Sequence, residues 1–324
     1  MKLITRIHII GAFMISKRSR FLQRALKGCY KDMEDEKFLK LKGKYSMRAG
    51  TELDLTHPKT FCEKLNWLKI NERRHLYTLM VDKYEAKKMA QERLGEDRVV
   101  PLLGVWDDFD EIDFDSLPDQ FVLKCTHDSG GLIVVKDKSK LNKEEARAKI
   151  EETLQTDYYA VQSREWPYKN VHRRIIAEEY VPSLGNADSI EYKVTCFNGK
   201  VAFVTRCKGV PHAAFDVRFN DHYDRNFKHY DGYVNYKSSG EKIEKPEQWD
   251  DIIRFSELMA KDTYHVRVDF YVIDGKLVFG ENTFFSWGGF MDFVPQEWDL
   301  ILGQNLRLPI DTDETVKITI PGLE

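Results

Sequence analysis

Little in this 324-residue chain points to a covalent framework, a membrane span or a common nucleotide loop. Its five cysteines (Cys29, Cys62, Cys125, Cys196, Cys207) are odd in number and scattered, with no Cys-x-x-Cys pair. A disulfide scaffold or a zinc knuckle is therefore excluded, and a reducing compartment is expected. No apolar run approaches the roughly 18 residues that a spanning helix needs. Neither Gly-x-x-x-x-Gly-Lys-Ser/Thr nor Gly-x-Gly-x-x-Gly occurs, so the familiar phosphate-binding fingerprints are missing. Repeats and low-complexity tracts are absent as well. A net charge of only −3 argues against a chain-wide nucleic-acid surface.

What is present is ample apolar material. Apolar residues make 42% and charged residues 32%, enough for a globular core in about two domains or one two-lobed unit. The near-neutral total hides an asymmetry. Residues 1–31 hold Lys2, Arg6, Lys17, Arg18, Arg20, Arg24, Lys27 and Lys31 and no acid, which leaves the remainder at −11. Residues 7–15, IHIIGAFMI, look like a signal core, but SKRSR follows instead of a small-residue cleavage site, so the arm is read as uncleaved. Leu3, Ile7, Ile10 and Met14 recur at helical spacing, and Phe21, Leu22, Ala25 and Leu26 continue the apolar side. Such a basic amphipathic helix suits an anionic membrane surface, or equally a berth on its own domain.

Helix signals punctuate the rest. Thr60-Phe-Cys-Glu63 is a capping box opening a helix through about Asn71. A helix is expected from about Val81 to Leu94, stopping at Gly95. Asn142 caps another through about Leu154, and Pro246 opens one continuing to about Asp262. Between them lie three hairpin-like pairs: QFVLKCTHDSGGLIVVK, EYKVTCFNGKVAFVTR turning at Asn198-Gly199, and VRVDFYVIDGKLVFGENTF turning at Asp274-Gly275. Strand pairs interleaved with helices predict an α+β fold rather than a doubly wound parallel sheet.

Each hairpin carries polar chemistry. In the first, Lys124 stands in an apolar strand, where burial is expensive unless an anion meets it. Thr126-His127-Asp128-Ser129-Gly130-Gly131 follows, either an ordinary turn or a backbone cradle for phosphate. In the second, the Asn198-Gly199 turn puts Glu191 opposite Arg206 and Lys193 opposite Val204. These form a wet cross-strand ion pair or one wall of a polar cleft. In the third, a three-residue turn over Ile273-Asp274-Gly275 sets Arg267 opposite Glu281, with Asp269 and Thr283 on the same face. A two-residue turn would shift the parity and pair Asp269 with Asn282. Two neighbouring carboxylates repel unless a cation joins them, and such oxygen donors suit magnesium bound with phosphate.

In this order, the segments LTHPKTFCEKLNWLKI, VDKYEAKK, VVPLLGVWDDFDEI, FVLKCTHDSGGLIVVKDKS, WPYKNVHRRIIAEEYV, EYKVTCFNGKVAFV, YDRNF, RVDFYVIDGKLVFGENTF and GGFMDFVPQEWDLILG resemble the ATP-grasp superfamily. The closer resemblance, over about Leu55 to Pro309, is to its TupA-like branch. That branch is named for teichuronopeptide biosynthesis and is often encoded with cell-surface polysaccharide genes. The resemblance implies two α+β lobes enclosing ATP, preceded by a short helical region. The implied division is a basic arm and helical region over 1–75, a first lobe over 76–180, a second lobe with the metal site over 181–310, and a tail over 311–324.

The resemblance also implies roles. Lys83 and Lys124 match the two phosphate-binding lysines. Ser129, Gly130 and Gly131 match the glycine-rich lid. Glu178, Glu179, Tyr180 and Val181 match the adenine hinge, and Glu191 the ribose carboxylate. Lys193 is a further phosphate contact, and Arg267 steadies the transferring phosphoryl group. Asp269 and Glu281 match the carboxylates for one or two Mg²⁺ ions. The wider superfamily often carries Glu-x-Asn here. This chain has Glu281-Asn282-Thr283, which puts Thr283 in the matching slot and turns Asn282 away. The implied activity is that of a cytoplasmic ATP-dependent carboxylate–amine ligase working through an acyl phosphate. Its acceptor would be a carboxylate-bearing glycan or peptide, its amine an amino acid or other amine, and its arm (residues 1–31) a contact with the inner membrane face. No nucleic acid is implied. A glycosyltransferase, for which Asp107-Asp108-Phe109-Asp110 offers acidic residues, and a sugar kinase are the competing readings.

Overall fold

A computed structural model describes residues 19–47, 52–128, 131–184, 189–209, 218–230 and 237–311. The chain opens with helices: α1 (19–26), α2 (Asp35–Ser46), α3 (Phe61–Asn71), α4 (His75–Val81) and α5 (Lys83–Leu94). The capping box forms as expected. Thr60 Oγ1 accepts from Glu63 N, and the Glu63 carboxylate returns to Thr60 N. The helix expected from about Val81 to Leu94 is α5, and it starts two residues later, at Lys83, with α4 ending just before it. Asp82 breaks them apart, because its carboxylate caps α5 by accepting from Tyr84 N and Glu85 N. Gly95, at φ 117°, ends α5.

A small sheet follows, built from β1 (Leu102–Trp106), β2 (Phe121–Cys125), β3 (Ile133–Val135) and β4 (Ile175–Glu179) in the antiparallel order β1-β4-β2-β3. Period-two alternation is visible in β2. Phe121, Leu123 and Cys125 are buried, while Val122 and Lys124 face the other way. The buried face packs on α6 (Lys143–Gln155), capped by Asn142 as expected, through Ala146 and Ile150. The short α7 (Tyr158–Val161) leads back towards β4.

The larger sheet holds β5 (Ile190–Phe197), β6 (Lys200–Lys208), β7 (Phe219–Tyr223), β8 (His229–Tyr230), β9 (His265–Ile273) and β10 (Lys276–Thr283). Their antiparallel order is β10-β9-β5-β6-β7-β8. Tyr192, Val194 and Cys196 of β5 and Val266, Val268 and Phe270 of β9 fill the core on one face. There α8 (Trp249–Met259) lies against them, beginning after Gln248 rather than at Pro246. The alternate residues, Glu191, Lys193, Arg267 and Asp269, belong to the opposite face. The two sheets are tied where Val99, just before β1, bridges Phe279 of β10. Near the end of the described chain, α9 (Glu297–Asn305) packs on α3. A Cβ on Gly303 would lie 2.2 Å from Lys59 O, so this approach requires glycine.

Register corrects two sequence expectations. In the β5–β6 hairpin Ala202 is an extra residue, so pairs beyond it slip by one: Glu191 faces Cys207, and Lys193 faces Thr205. Arg206 therefore faces Tyr192, on the opposite side of the sheet from Glu191, and pairs with Asp221 at 3.5 Å. The β9–β10 turn has two residues, Asp274-Gly275, not three, and Gly280 forms a bulge. The turn and the bulge offset each other in parity. Arg267, Asp269, Glu281 and Thr283 thus share a face after all, but Glu281 sits opposite Asp269 and Thr283 opposite Arg267. Asn282 pairs with Val268 on the core side, where its amide donates to Met80 O at 3.1 Å.

Candidate active site

The large sheet concentrates charge on one face. Asp269 is fully buried and receives two nitrogens of Arg267, Nε at 2.7 Å and Nη2 at 2.6 Å, with Lys193 Nζ at 3.0 Å. Burial alone would raise the Asp269 pKa, but Arg267 and Lys193 overcome it and hold the carboxyl below its usual range. Lys193 also pairs with Glu191 at 2.7 Å. Burial and the Asp269 charge push Glu191 upward against that pairing, and Tyr271 stands directly across the strand pair from it. Arg267 continues outward to Thr283 Oγ1 and Ser286 Oγ, both at 3.1 Å. Glu281 is different: its side chain is 56% exposed and its nearest cation, Arg267 Nη2, is 3.8 Å away.

A second charged group sits on the small sheet. Glu178 of β4 is buried between Lys124 of β2, in a short contact, and Lys87 of α5 at 3.2 Å. Burial raises the Glu178 pKa, but the two lysines outweigh it and keep the carboxyl low. Lys87 was not expected here from the sequence, although it follows Lys83 by four residues and so shares its helix face. Lys83, at the first turn of α5, spends its ammonium on the end of β2. It donates to Cys125 O and Asp128 Oδ1, both at 2.9 Å, and to Asp128 O. Asp128 in turn accepts from Gly131 N at 2.6 Å. Ser129 and Gly130, expected in the lid, lie outside the described residues.

Residues 178–181 lead from the small sheet towards the large one. Glu179 is exposed and donates its N–H to Pro101 O. Tyr180 lies beneath Lys136, whose ammonium is 5.8 Å from the ring, and Val181 O accepts from Leu184 N. A pocket of about 740 Å³ is lined by Lys136, Glu179 and Tyr180, but not by Lys83, Lys87, Lys124, Glu178 or the charged residues of the large sheet. Several polar residues elsewhere have structural roles. Asp108 caps a turn shared with Glu111, and Asp110 pairs with Arg147, so the 107–110 acids are committed locally. His127 is buried against Thr153 O. The stretch from Lys208 to Lys237 is rich in His, Tyr, Asp and Arg, but its His222 and Tyr223 are buried strand residues, with Tyr223 stacked on Phe227. His212 and Asp216 lie outside the described residues. The five cysteines are all free.

The acid pair offers hard oxygen donors for magnesium. Arg267 and Lys193 occupy three of the roughly four lone-pair directions of Asp269, leaving one. Glu281 is open, and Thr283 contributes a hydroxyl. Among the described residues no group of three or more His, Cys, Asp or Glu side chains gathers to hold a metal. Asp269, Glu281 and Thr283 would hold magnesium with phosphate oxygens and water completing its shell.

Two antiparallel sheets, lysines on the smaller and a cation-bound acid pair on the larger, define a protein of the ATP-grasp class. The chain belongs to the TupA-like ATPgrasp family, whose model matches residues 63–307. No curated protein sequence matches it. Among solved structures it is similar to D-alanine–D-alanine ligase from Bacillus anthracis complexed with ATP, at 18% identity and a TM-score of 0.38, over 63% of this chain and 55% of that one. It is also similar to L-amino acid ligase from Bacillus licheniformis, at 16% identity and a TM-score of 0.39, over 63% of this chain and 42% of that one. D-cycloserine synthetase DcsG follows at 14% identity and a TM-score of 0.38, over 71% of each chain. The chain thus spans about half the length of the first two.

Proposed function

We propose that this protein is an ATP-dependent carboxylate–amine ligase that builds or modifies a cell-surface polysaccharide. The observation that carries the reading is the Lys193–Asp269–Arg267 group with Glu281 directly across the strand pair. In this reading ATP lies between the two sheets. Lys124 and Lys193 bind its phosphates from opposite sides, and Lys83 joins them by exchanging Asp128 for phosphate. The backbone of Glu178, Glu179, Tyr180 and Val181 meets adenine, Glu191 takes the ribose hydroxyls, and Ser129, Gly130 and Gly131 cover the phosphates. A magnesium ion on Asp269, Glu281 and the Thr283 hydroxyl supplies charge neutralisation at the phosphates when bound.

Arg267 steadies the γ-phosphoryl group while a substrate carboxylate oxygen attacks it, giving an acyl phosphate and ADP. An amine then attacks the acyl carbon; the C–N bond forms, the C–O bond breaks, and inorganic phosphate leaves with the surplus proton. Positioning and fixed charge suffice for this chemistry, and no side-chain nucleophile is needed. The family's ties to surface-polysaccharide genes favour a uronate or peptide carboxylate as acceptor. They also favour a cytoplasmic protein whose residues 1–31 touch the inner membrane face.

Hydroxylamine tests the reaction class. With ATP, Mg²⁺ and a panel of uronates and acidic peptides, hydroxamate and ADP should appear together. A phosphomonoester with no hydroxamate would show a sugar kinase, and UDP release from a nucleotide sugar a glycosyltransferase.

A further inference from the structure

Glu178 is an acid where an anion is to bind. A triphosphate calls for cations, yet this carboxylate sits beside Lys124 and is only 6% exposed. Two lysines share it, with Oε2 on Lys124 Nζ and Oε1 on Lys87 Nζ at 3.2 Å. A buried carboxylate needs such partners, because leaving it bare is costly. One lysine alone would neutralise it, and the resulting pair would carry no net charge towards a phosphate. The second lysine changes the sum, since two ammonium groups and one carboxylate leave +1.

The two lysines are not equivalent. Lys87 faces Glu178 and also donates to Val100 O at 2.6 Å, and its side chain is only 9% exposed. Burial lowers its ammonium pKa against the pull of the Glu178 charge. Lys124 comes from β2 and is 27% exposed. Its bond to Glu178 takes one of the three donors of its ammonium and leaves two. Lys87 is therefore the sealed member of the group and Lys124 the accessible one. The helix that carries Lys83 in its first turn thus backs Lys124 from the next turn along.

We infer that Lys87 is a positioning residue of the nucleotide site, acting through Glu178 and Lys124. It supplies the counter-charge of Glu178 and touches no ligand itself. Lys124 is thereby left with a charge and two donors for the phosphates. Without Lys87, the carboxylate would hold Lys124 as its remaining cation, and the group would fall from +1 to zero. Removing the Glu178 charge as well would restore +1 and make Lys87 dispensable. The inference rests on the nucleotide reading above and goes beyond it in giving Lys87 a part.

Calorimetry on the full chain tests this with two probes, adenylyl imidodiphosphate with Mg²⁺, and adenosine, which lacks the phosphates. Lys87→Met should weaken the imidodiphosphate at least about tenfold and adenosine less than about twofold, whereas a merely structural lysine would affect both alike. Combined with Glu178→Gln, the same replacement should cost the imidodiphosphate less than about threefold, because no carboxylate remains to hold Lys124. Lys87→Gln keeps an amide donor but no charge. It should reproduce Lys87→Met, and it takes that variant's place if the methionine variant does not fold. The proposal is overturned if the two probes weaken together, or if the loss is as large with Glu178→Gln as without it. If the intact chain binds neither probe, the nucleotide reading falls and takes the proposal with it. If the intact chain binds both and Lys87→Met matches it, the proposal alone falls.

Discussion

Asp269 and Glu281 are cross-strand partners with opposite surroundings, and their substitutions should behave oppositely. Glu281 is mostly exposed and only loosely paired, so Glu281→Gln should change stability by less than about 0.5 kcal/mol while reducing Mg²⁺-dependent turnover. Asp269 neutralises two buried cations. Asp269→Asn leaves Lys193 only Glu191 and Arg267 only the distant Glu281, and should cost about 3–5 kcal/mol, read as a lower urea midpoint. Equal stability in the two variants would contradict the geometry. A pH signature comes from His265, buried between the rings of Phe61 and Phe197 and bonded to Cys196 O. Burial depresses its pKa to about 4. Between pH 6.5 and 4 the unfolded chain therefore binds a proton that the folded chain refuses. Stability should fall by roughly 3 kcal/mol as the pH drops through that window. Asp269, whose folded pKa is depressed, adds its own loss only below about pH 4. His265→Leu should flatten the upper part of the curve and leave the lower part intact.

At the scale of elements, the β9–β10 bulge decides which side chains meet. Gly280 is the inserted residue, and a Cβ on it would come within 2.9 Å of the Tyr271 ring and 3.1 Å of Asp269 O. Gly280→Ala should displace the Tyr271 ring and cost about 1–3 kcal/mol by overpacking, with a parallel loss of affinity for a non-hydrolysable ATP analogue. Unchanged melting and unchanged affinity would show that the bulge does not depend on glycine. The same hairpin shows what a sequence discloses. Its turn was legible in Asp274-Gly275, as were the helix starts at Thr60 and Asn142, because capping and turn chemistry are local. Sharing of one face by Arg267, Asp269, Glu281 and Thr283 was legible too, although the turn length behind it was not. Bulges at Ala202 and Gly280 were hidden because packing against neighbouring strands sets them, and so pattern alone puts Arg206 on the wrong face. Lys87 and Tyr271 were within reach of simple spacing, four residues along a helix and two along a strand.

Across the whole molecule, the helical N-terminal region is bound into the fold rather than appended to it. In α1, Phe21 and Ala25 are buried, with Phe21 stacked on Tyr30 at 5.3 Å and Tyr45 at 5.2 Å. From the far side Arg164, itself 1% exposed, donates to Tyr30 O, Lys31 O and Met33 O and lays its guanidinium 4.6 Å from the Phe38 ring. The amphipathic pattern of residues 1–31 thus divides. From Phe21 onward the inward positions serve the core, while Leu3, Ile7, Ile10 and Met14 belong to residues outside those described. Four of the eight basic residues, Lys2, Arg6, Lys17 and Arg18, accompany that first part. Among the described residues no helix is long and apolar enough to cross a membrane. Two truncations separate adhesion from folding. Removing residues 1–18 should leave the melting temperature unchanged and abolish sedimentation with anionic vesicles, since each basic residue near a charged surface contributes about 1 kcal/mol. Removing residues 1–31 should do the same to vesicle binding and also cost at least about 3 kcal/mol of stability, because Phe21 is lost and Arg164 is left facing empty space where two carbonyls stood. If the shorter truncation still sediments with vesicles, adhesion lies elsewhere on the surface. If the longer one melts like the intact chain, the aromatic berth of Phe21 contributes nothing to the fold.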